Sequence, residues 1–140
     1  MGEVFGSDRI KWELCRLVRH GCESWPENGD VETVIDRVMQ HGVGPLLHYV
    51  LTEEYDPGAC PVELQGRLGD VRKQAVAVHM MREFALSQVL ARLQDARITP
   101  LVIKGEQLAY TQYASPELRV RADTDLFISV NDLLPMQDVL

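Results

Sequence analysis

Hydrophobic residues recur at three- and four-residue steps through most of the chain before residue 98, and this spacing predicts amphipathic helices. A first helix is predicted over residues 8–20. A second begins after Asp30, a residue type that caps helix N-termini, and stops near His41. Pro45 suits the first turn of a third helix. Residues 1–97 are therefore predicted to form a helical N-terminal region.

The longest periodic segment runs from Pro61 to about Arg97. Its apolar residues form one helical stripe, made of Leu64, Leu68, Val71, Ala75, Val78, Leu86, Val89 and Leu93. Met80, Met81 and Phe84 are expected to widen the buried surface as core residues, because methionine and aromatic side chains fill irregular gaps well. The segment is therefore predicted to be one long helix.

The pattern changes after residue 97 to short runs of apolar and β-branched residues, which are typical of strands. Strands are predicted at 98–103 and 119–130, with a helix at 106–113 between them. Asn131-Asp132 are predicted to cap a last helix at 133–140. The expected fold is α/β (α+β), with residues 98–140 forming the first strands of a mixed sheet.

Two carboxylates share one face of the second predicted strand. Asp123 and Asp125 are two residues apart, and side chains in a strand alternate between faces with that period. Paired acids repel each other unless a cation lies between them, and Mg²⁺ prefers oxygen ligands. The pair predicts a metal site; two solvated acids on a surface strand are the alternative.

Lys104-Gly105 lies where the first predicted strand turns into the next helix. A helix N-terminus carries a partial positive charge, and glycine allows close approach of a phosphate to the backbone. The turn is therefore a candidate phosphate site. A solvated lysine beside a plain turn glycine is the alternative.

Composition narrows the choice of partners. The chain has 140 residues, a net charge of −7 and no apolar run long enough to span a membrane. An acidic balance disfavours a large nucleic-acid surface, because polynucleotide binders usually carry a basic patch.

The N-terminus lacks a secretory signal, so a cytoplasmic location is expected. The three cysteines are expected to be reduced, and the four histidines share no ligand spacing.

The ordered combination of these motifs resembles the uncharacterised nucleotidyltransferase family of the DNA polymerase β-like nucleotidyltransferase superfamily. The resemblance extends from about residue 30 to the end of the chain. It is carried by Ile98-Thr-Pro-Leu-Val-Ile-Lys-Gly105, Leu108-Ala109, Tyr113, Pro116, Leu118-Arg119 and Asp123-Thr-Asp-Leu126, with His41-Gly-Val-Gly-Pro-Leu-Leu47 and Pro61-Val-Glu-Leu64 upstream.

This resemblance implies an Mg²⁺-dependent enzyme that transfers an NMP group from an NTP to an acceptor and releases pyrophosphate. Asp123 and Asp125 would be the catalytic metal ligands. Lys104 and Gly105 would lie at the nucleotide phosphates, although relatives in the superfamily carry Gly-Ser there. Arg119 matches the family and would contact phosphate or brace the Asp strand, whereas Arg121 has no such match. A small-molecule or protein acceptor is expected rather than nucleic acid.

The superfamily normally places a third carboxylate on a later strand. No such strand follows before Leu140, so the chain is expected to be either a fragment, truncated after the Asp-x-Asp strand, or a degenerate relative. Residues 98–140 would then be an incomplete nucleotidyltransferase core. The alternative function is a catalytically inactive nucleotide-binding or protein-interaction module of the same fold.

Overall fold

The protein is mostly helical, with a small antiparallel sheet, in a computed structural model that describes residues 12, 14–22, 25, 30–55, 58 and 60–139. The helices are α1 (residues 14–20), α2 (Val31–His41), α3 (Gly44–Tyr49), α4 (Val62–Asp95), α5 (Lys104–Gln112) and α6 (Leu133–Val139). The strands are β1 (Leu101–Ile103) and β2 (Asp125–Phe127). Short turns of π-helix (Val50–Glu54) and 3-10 helix (Pro116–Leu118 and Val130–Asp132) complete the described elements. The predicted α+β class with a helical N-terminal region is confirmed.

The chain divides into two compact units, which are described separately. The first unit comprises the described part of residues 1–75 together with Leu118–Val120, and the second comprises residues 76–117 and 121–140. Helix α4 therefore contributes its beginning to the first unit and its remainder to the second. The described helices are not long and apolar enough to cross a membrane.

The first unit has an aliphatic core supplied by its helices. Its buried side chains are Leu14, Leu17, Cys22, Val34, Ile35, Val38, Leu47, Leu51, Cys60, Leu64 and Leu68. The helices approach closely where Gly44 faces Val71, because a Cβ on Gly44 would lie 2.6 Å from Val71 Cγ1. Glycine is therefore required at this position by packing.

Local signals set the helix ends in this unit as the sequence predicts. The Asp30 side chain caps α2 by accepting a hydrogen bond from the Glu32 N–H, and Gly42 ends the helix at a φ of 64°. Gly21 follows α1 with the same φ, and its N–H donates to the Leu17 carbonyl at 3.0 Å. The start of the first predicted helix, at residue 8, lies outside the described residues.

The second unit contains the sheet. Strands β1 and β2 pair in antiparallel fashion, with Ile103 opposite Asp125 and Leu101 opposite Phe127. Both strands are three residues long and shorter than predicted. Ile98 is buried, and its N–H donates to the Leu93 carbonyl at the end of α4. The start of the first predicted strand therefore packs against the end of this helix and does not pair in the sheet.

Three apolar residues of α4 lie outside the core that their residue types predict for them. Met80, Met81 and Phe84 are 63%, 73% and 68% exposed, so the prediction that they are core residues is wrong. Val78, in the predicted stripe, is also half exposed. On α4, the less exposed residues His79, Arg82 and Leu86 follow one another at three- to four-residue steps. Met80 and Met81 lie about 100° and about 200° around the helix from His79, on faces that are exposed.

The cysteines are free thiols, as expected. Cys22 and Cys60 are buried and Cys15 is exposed. Burial, together with a hydrogen bond involving the Cys22 thiol, raises the pKa of Cys60 to about 12. Cys60 therefore remains protonated at neutral pH and is a weak nucleophile.

Candidate functional site

One carboxylate of the predicted metal pair lies beside the predicted phosphate-binding lysine. Lys104 Nζ is 3.2 Å from Asp125 Oδ1. The contact follows from the register of the sheet, since Asp125 pairs with Ile103 and Lys104 comes next along the chain. Asp125 is one-third exposed and Lys104 is more than two-thirds exposed, so the pair faces solvent and can exchange its partners.

Strand β1 passes directly into helix α5 at Lys104. This residue adopts a φ of 54°, in the left-handed region that costs a non-glycine residue about 1–2 kcal/mol. The preceding residue, Ile103, has no side chain that can cap the helix. Lysine, and not the adjacent Gly105, therefore takes the strained conformation at the turn.

The second carboxylate lies in the segment that leads into β2. Asp123 is outside the strand and exposed. Its backbone carbonyl accepts a hydrogen bond from Arg82 Nη1 at 3.2 Å, which ties this segment to α4. Thr124, between the two acids, points inward and donates from Oγ1 to Glu106 Oε2 at 3.3 Å.

A buried ion pair lies directly beneath the two acids. Arg121 donates from Nε and Nη2 to the two carboxylate oxygens of Glu106, at 2.6 and 2.7 Å. The side chains are only 6% and 2% exposed. Arg121 also donates to the Pro116 carbonyl at 2.9 Å, and its Nη2 lies 3.1 Å from His79 Nδ1. This cluster joins α4, α5 and the segment before β2.

The pKa of Glu106 reflects the same contacts. Hydrogen bonds from Arg121 lower the pKa of Glu106 below its ordinary value, although burial acts in the opposite direction. Glu106 is therefore ionised at neutral pH, and the buried pair is a true ion pair. Such a pair rigidifies its surroundings when its remaining hydrogen-bonding capacity is also satisfied, as Thr124 does here.

Tyr110 packs against α4 from α5. Its ring centroid lies 6.0 Å from that of His79, and its hydroxyl lies 3.4 Å from Glu83 Oε1. Burial raises the pKa of Tyr110, and the Glu83 carboxylate adds to the effect. The ring is half exposed and lines a groove beside Leu86 and Val102.

The structure brings some of the predicted site residues together. Four of them belong to the second unit: Lys104, Gly105, Asp123 and Asp125. Within this group, the side chains of Lys104 and Asp125 are in contact. Arg119 belongs to the first unit with its neighbours Leu118 and Val120, and it is half buried.

Sequence reasoning did not identify the buried cluster. Glu106 and Thr124 carry no motif of their own, and Arg121 lacked support in the family pattern. From the sequence alone, an arginine next to paired acids on a predicted strand can be either buried or solvated. Only the fold shows that Arg121 turns inward to meet an acid fifteen positions earlier in the chain.

The donor set suits Mg²⁺ carried in by a nucleotide. The described residues contain no cluster of three or more histidine, cysteine or acidic side chains that could hold a metal ion by themselves. Mg²⁺ commonly keeps several waters and binds through one or two carboxylates plus substrate phosphates. Asp123 and Asp125 are two carboxylates with accessible side chains. They fit an Mg²⁺ ion whose other ligands come from water and phosphate.

Comparison with known protein families places most of the chain in one of them. Neither a curated protein nor a solved structure shows significant similarity to the chain. Residues 27–140 match a family described as uncharacterised nucleotidyltransferase, and this match includes the sheet, the turn at Lys104 and both acids. The chain therefore belongs to the uncharacterised nucleotidyltransferase family.

Proposed function

We propose that this protein transfers an NMP group from an NTP to an acceptor nucleophile, with Asp123 and Asp125 holding Mg²⁺ on the nucleotide. The observation that supports it most is the placement of Lys104 Nζ 3.2 Å from Asp125 Oδ1, at the start of α5. The carboxylate proposed to hold the cation and the helix end proposed to bind phosphate are thereby adjacent, as an NTP–Mg²⁺ complex would require. Membership of a nucleotidyltransferase family supports the reaction class.

The proposed roles follow from charge and position. Asp123 and Asp125 supply oxygen ligands on an accessible surface. Lys104 neutralises Asp125 when no nucleotide is bound and is positioned to turn toward a phosphate when one is. Gly105 lies in the first turn of α5, where the helix end favours an anion. No role at these phosphates is proposed for Arg119, which belongs to the first unit.

The proposed reaction forms one bond and breaks one. The acceptor oxygen or nitrogen attacks the α-phosphorus, the bond from this phosphorus to the bridging oxygen of the β-phosphate breaks, and pyrophosphate leaves. The acceptor proton passes to solvent. Mg²⁺, held by Asp123 and Asp125, would supply positive charge to offset that of the phosphates during the displacement. The contribution of the chain is to hold the acids and to place a cation at the phosphates.

The test is a calorimetric titration of the protein with each of the four NTPs in Mg²⁺. Asp125→Asn should weaken Mg²⁺-dependent nucleotide binding by roughly tenfold or more, because it removes a charged ligand. Asp70→Asn is the matched control, since Asp70 is an exposed acid paired with Lys73 at 2.9 Å. Equal binding by the wild type and Asp125→Asn would refute the proposed metal role.

Turnover is measured separately, as Mg²⁺-dependent release of pyrophosphate from the preferred NTP. Nucleotide binding together with pyrophosphate release supports the transferase. Binding without release, with candidate acceptor alcohols and amines present, favours the alternative of a nucleotide-binding module.

A further inference from the structure

The segment that carries both acids is anchored at three of its residues. Arg121 is fixed by its two hydrogen bonds to Glu106, and the Asp123 carbonyl is fixed by Arg82. Thr124 is fixed by its bond to Glu106 Oε2 at 3.3 Å. Beyond these points the chain enters β2 and is held by the sheet.

The inward direction of Thr124 determines where its neighbours point. Successive side chains in extended backbone alternate between faces. With the Thr124 hydroxyl bound to a buried carboxylate, the carboxylates of Asp123 and Asp125 both remain on the accessible side. The direction in which the two acids point is thus coupled to a hydrogen bond that neither acid makes.

Glu106 is chemically suited to this role. An ionised carboxylate accepts several hydrogen bonds at once and donates none. Glu106 uses this capacity to accept from Arg121 on both oxygens and from Thr124 on one of them. Because it is 2% exposed, water does not compete for these contacts. A glutamine would present an amide NH₂ toward one of the Arg121 donors.

We propose that Glu106, Arg121 and Thr124 are positioning residues that hold Asp123 and Asp125 in the arrangement needed to bind a divalent cation. This inference rests on the proposed metal role of the two acids. It adds that the affinity for metal depends on a hydroxyl that touches neither metal nor nucleotide.

The test measures binding of Mn²⁺ in the presence of the NTP that the wild type binds best, by water-proton relaxation. Thr124→Val removes the hydroxyl but keeps the shape of the side chain. It should weaken Mn²⁺ binding by about tenfold, since losing a residue that orients metal ligands typically costs 10–100-fold. Thr124→Ser keeps the hydroxyl and should restore the affinity. Glu106→Gln should weaken binding further.

Two controls separate positioning from general stability. Thermal unfolding followed by circular dichroism should show that Thr124→Val and Thr124→Ser have similar melting temperatures. Glu32→Gln removes an acid that pairs with Arg67 in the first unit and should leave Mn²⁺ binding unchanged. If Glu106→Gln does not fold, the comparison of valine and serine at position 124 still decides the question.

Each outcome discriminates. Wild-type affinity in Thr124→Val would overturn the positioning role while leaving the proposed function intact. Equal weakening by valine and serine would also overturn it, because a hydroxyl contact predicts recovery with serine. Absence of Mn²⁺–nucleotide binding to the wild type would overturn the proposed function itself, and the positioning role with it.

Discussion

The buried ion pair between Arg121 and Glu106 should contribute far more to stability than an exposed pair does. The perturbation is Arg121→Met, which keeps an unbranched side chain of similar length but removes the charge. It leaves an ionised carboxylate that is 2% exposed without its main partner. Breaking a buried pair in this way costs about 3–5 kcal/mol, because the remaining charge is neither hydrated nor neutralised.

An exposed pair in the first unit provides the comparison. Arg67 and Glu32 form an ion pair whose side chains are 38% and 65% exposed. Exposed pairs typically contribute about 0–1 kcal/mol, so Arg67→Met should have a small effect. The two substitutions are chemically identical, and the difference between them measures the effect of burial.

The assay is urea unfolding monitored by far-ultraviolet circular dichroism. For a slope of about 2 kcal/mol per molar urea, Arg121→Met should lower the midpoint of the transition that involves the second unit by about 2 M. Arg67→Met should lower the midpoint by at most about 0.5 M. Equal effects of the two substitutions would refute the argument from burial.

The pH dependence provides an independent check. The folded-state pKa of Glu106 is below its ordinary value, so its ionic contribution is fully present above that ordinary value. The contribution is lost as the pH falls through the lower, folded-state pKa. In Arg121→Met, protonation of Glu106 removes the unpaired charge. The difference in the free energy of unfolding between the wild type and Arg121→Met should therefore shrink as the pH falls from 7 to 4. If this difference does not change with pH, the lost stability comes from packing and not from the charge.

The remaining predictions concern the thiols and the end of α4. Iodoacetamide at pH 8 should label exposed Cys15 first and leave Cys60 largely unmodified until urea is added, because Cys60 is buried and its pKa is about 12. Mass spectrometry of the digested protein measures the labelling of each cysteine. Equal labelling of Cys15 and Cys60 would contradict the prediction. Arg97 follows α4 with a φ of 62°. Arg97→Gly should therefore stabilise the protein by about 0.5–1 kcal/mol in urea unfolding, since glycine adopts this conformation without strain, and a loss of stability would show that the arginine side chain matters more.

Local features of the sequence predicted the helices well. The end of α2 depends on the Asp30 cap and the left-handed Gly42, which act through neighbouring backbone groups. Helix α4, predicted from Pro61 to about Arg97, extends from Val62 to Asp95. These boundaries were predictable because their causes lie within one helical turn of them.

The burial of α4 was less predictable, because periodicity reports an apolar face but not the element that covers it. Met80, Met81 and Phe84 have the composition of core residues and are nevertheless exposed. Which face of a helix packs depends on elements far away in the chain. In the second unit, the packed face is the one that carries His79, which meets Tyr110 of α5.

The candidate metal and phosphate ligands could be predicted from the sequence, but the buried ion pair next to them could not. The spacing of Asp123 and Asp125 is visible in the sequence, and so is the position of Lys104 before the helix. The contact between Arg121 and Glu106 joins residues fifteen positions apart whose types suggest two solvated charges. A buried ion pair leaves no periodic or compositional trace, so only the fold identifies it.

The direct junction of β1 and α5 limits how the length of this chain can vary. Ile103 ends the strand, Lys104 begins the helix, and Asp125 pairs with Ile103 across the sheet. A residue inserted at this junction would move Lys104 away from Asp125, and one deleted between the two acids would send one of them to the opposite face. Length changes should instead be tolerated at the bend around Tyr113–Ser115, so insertions there would leave the site intact.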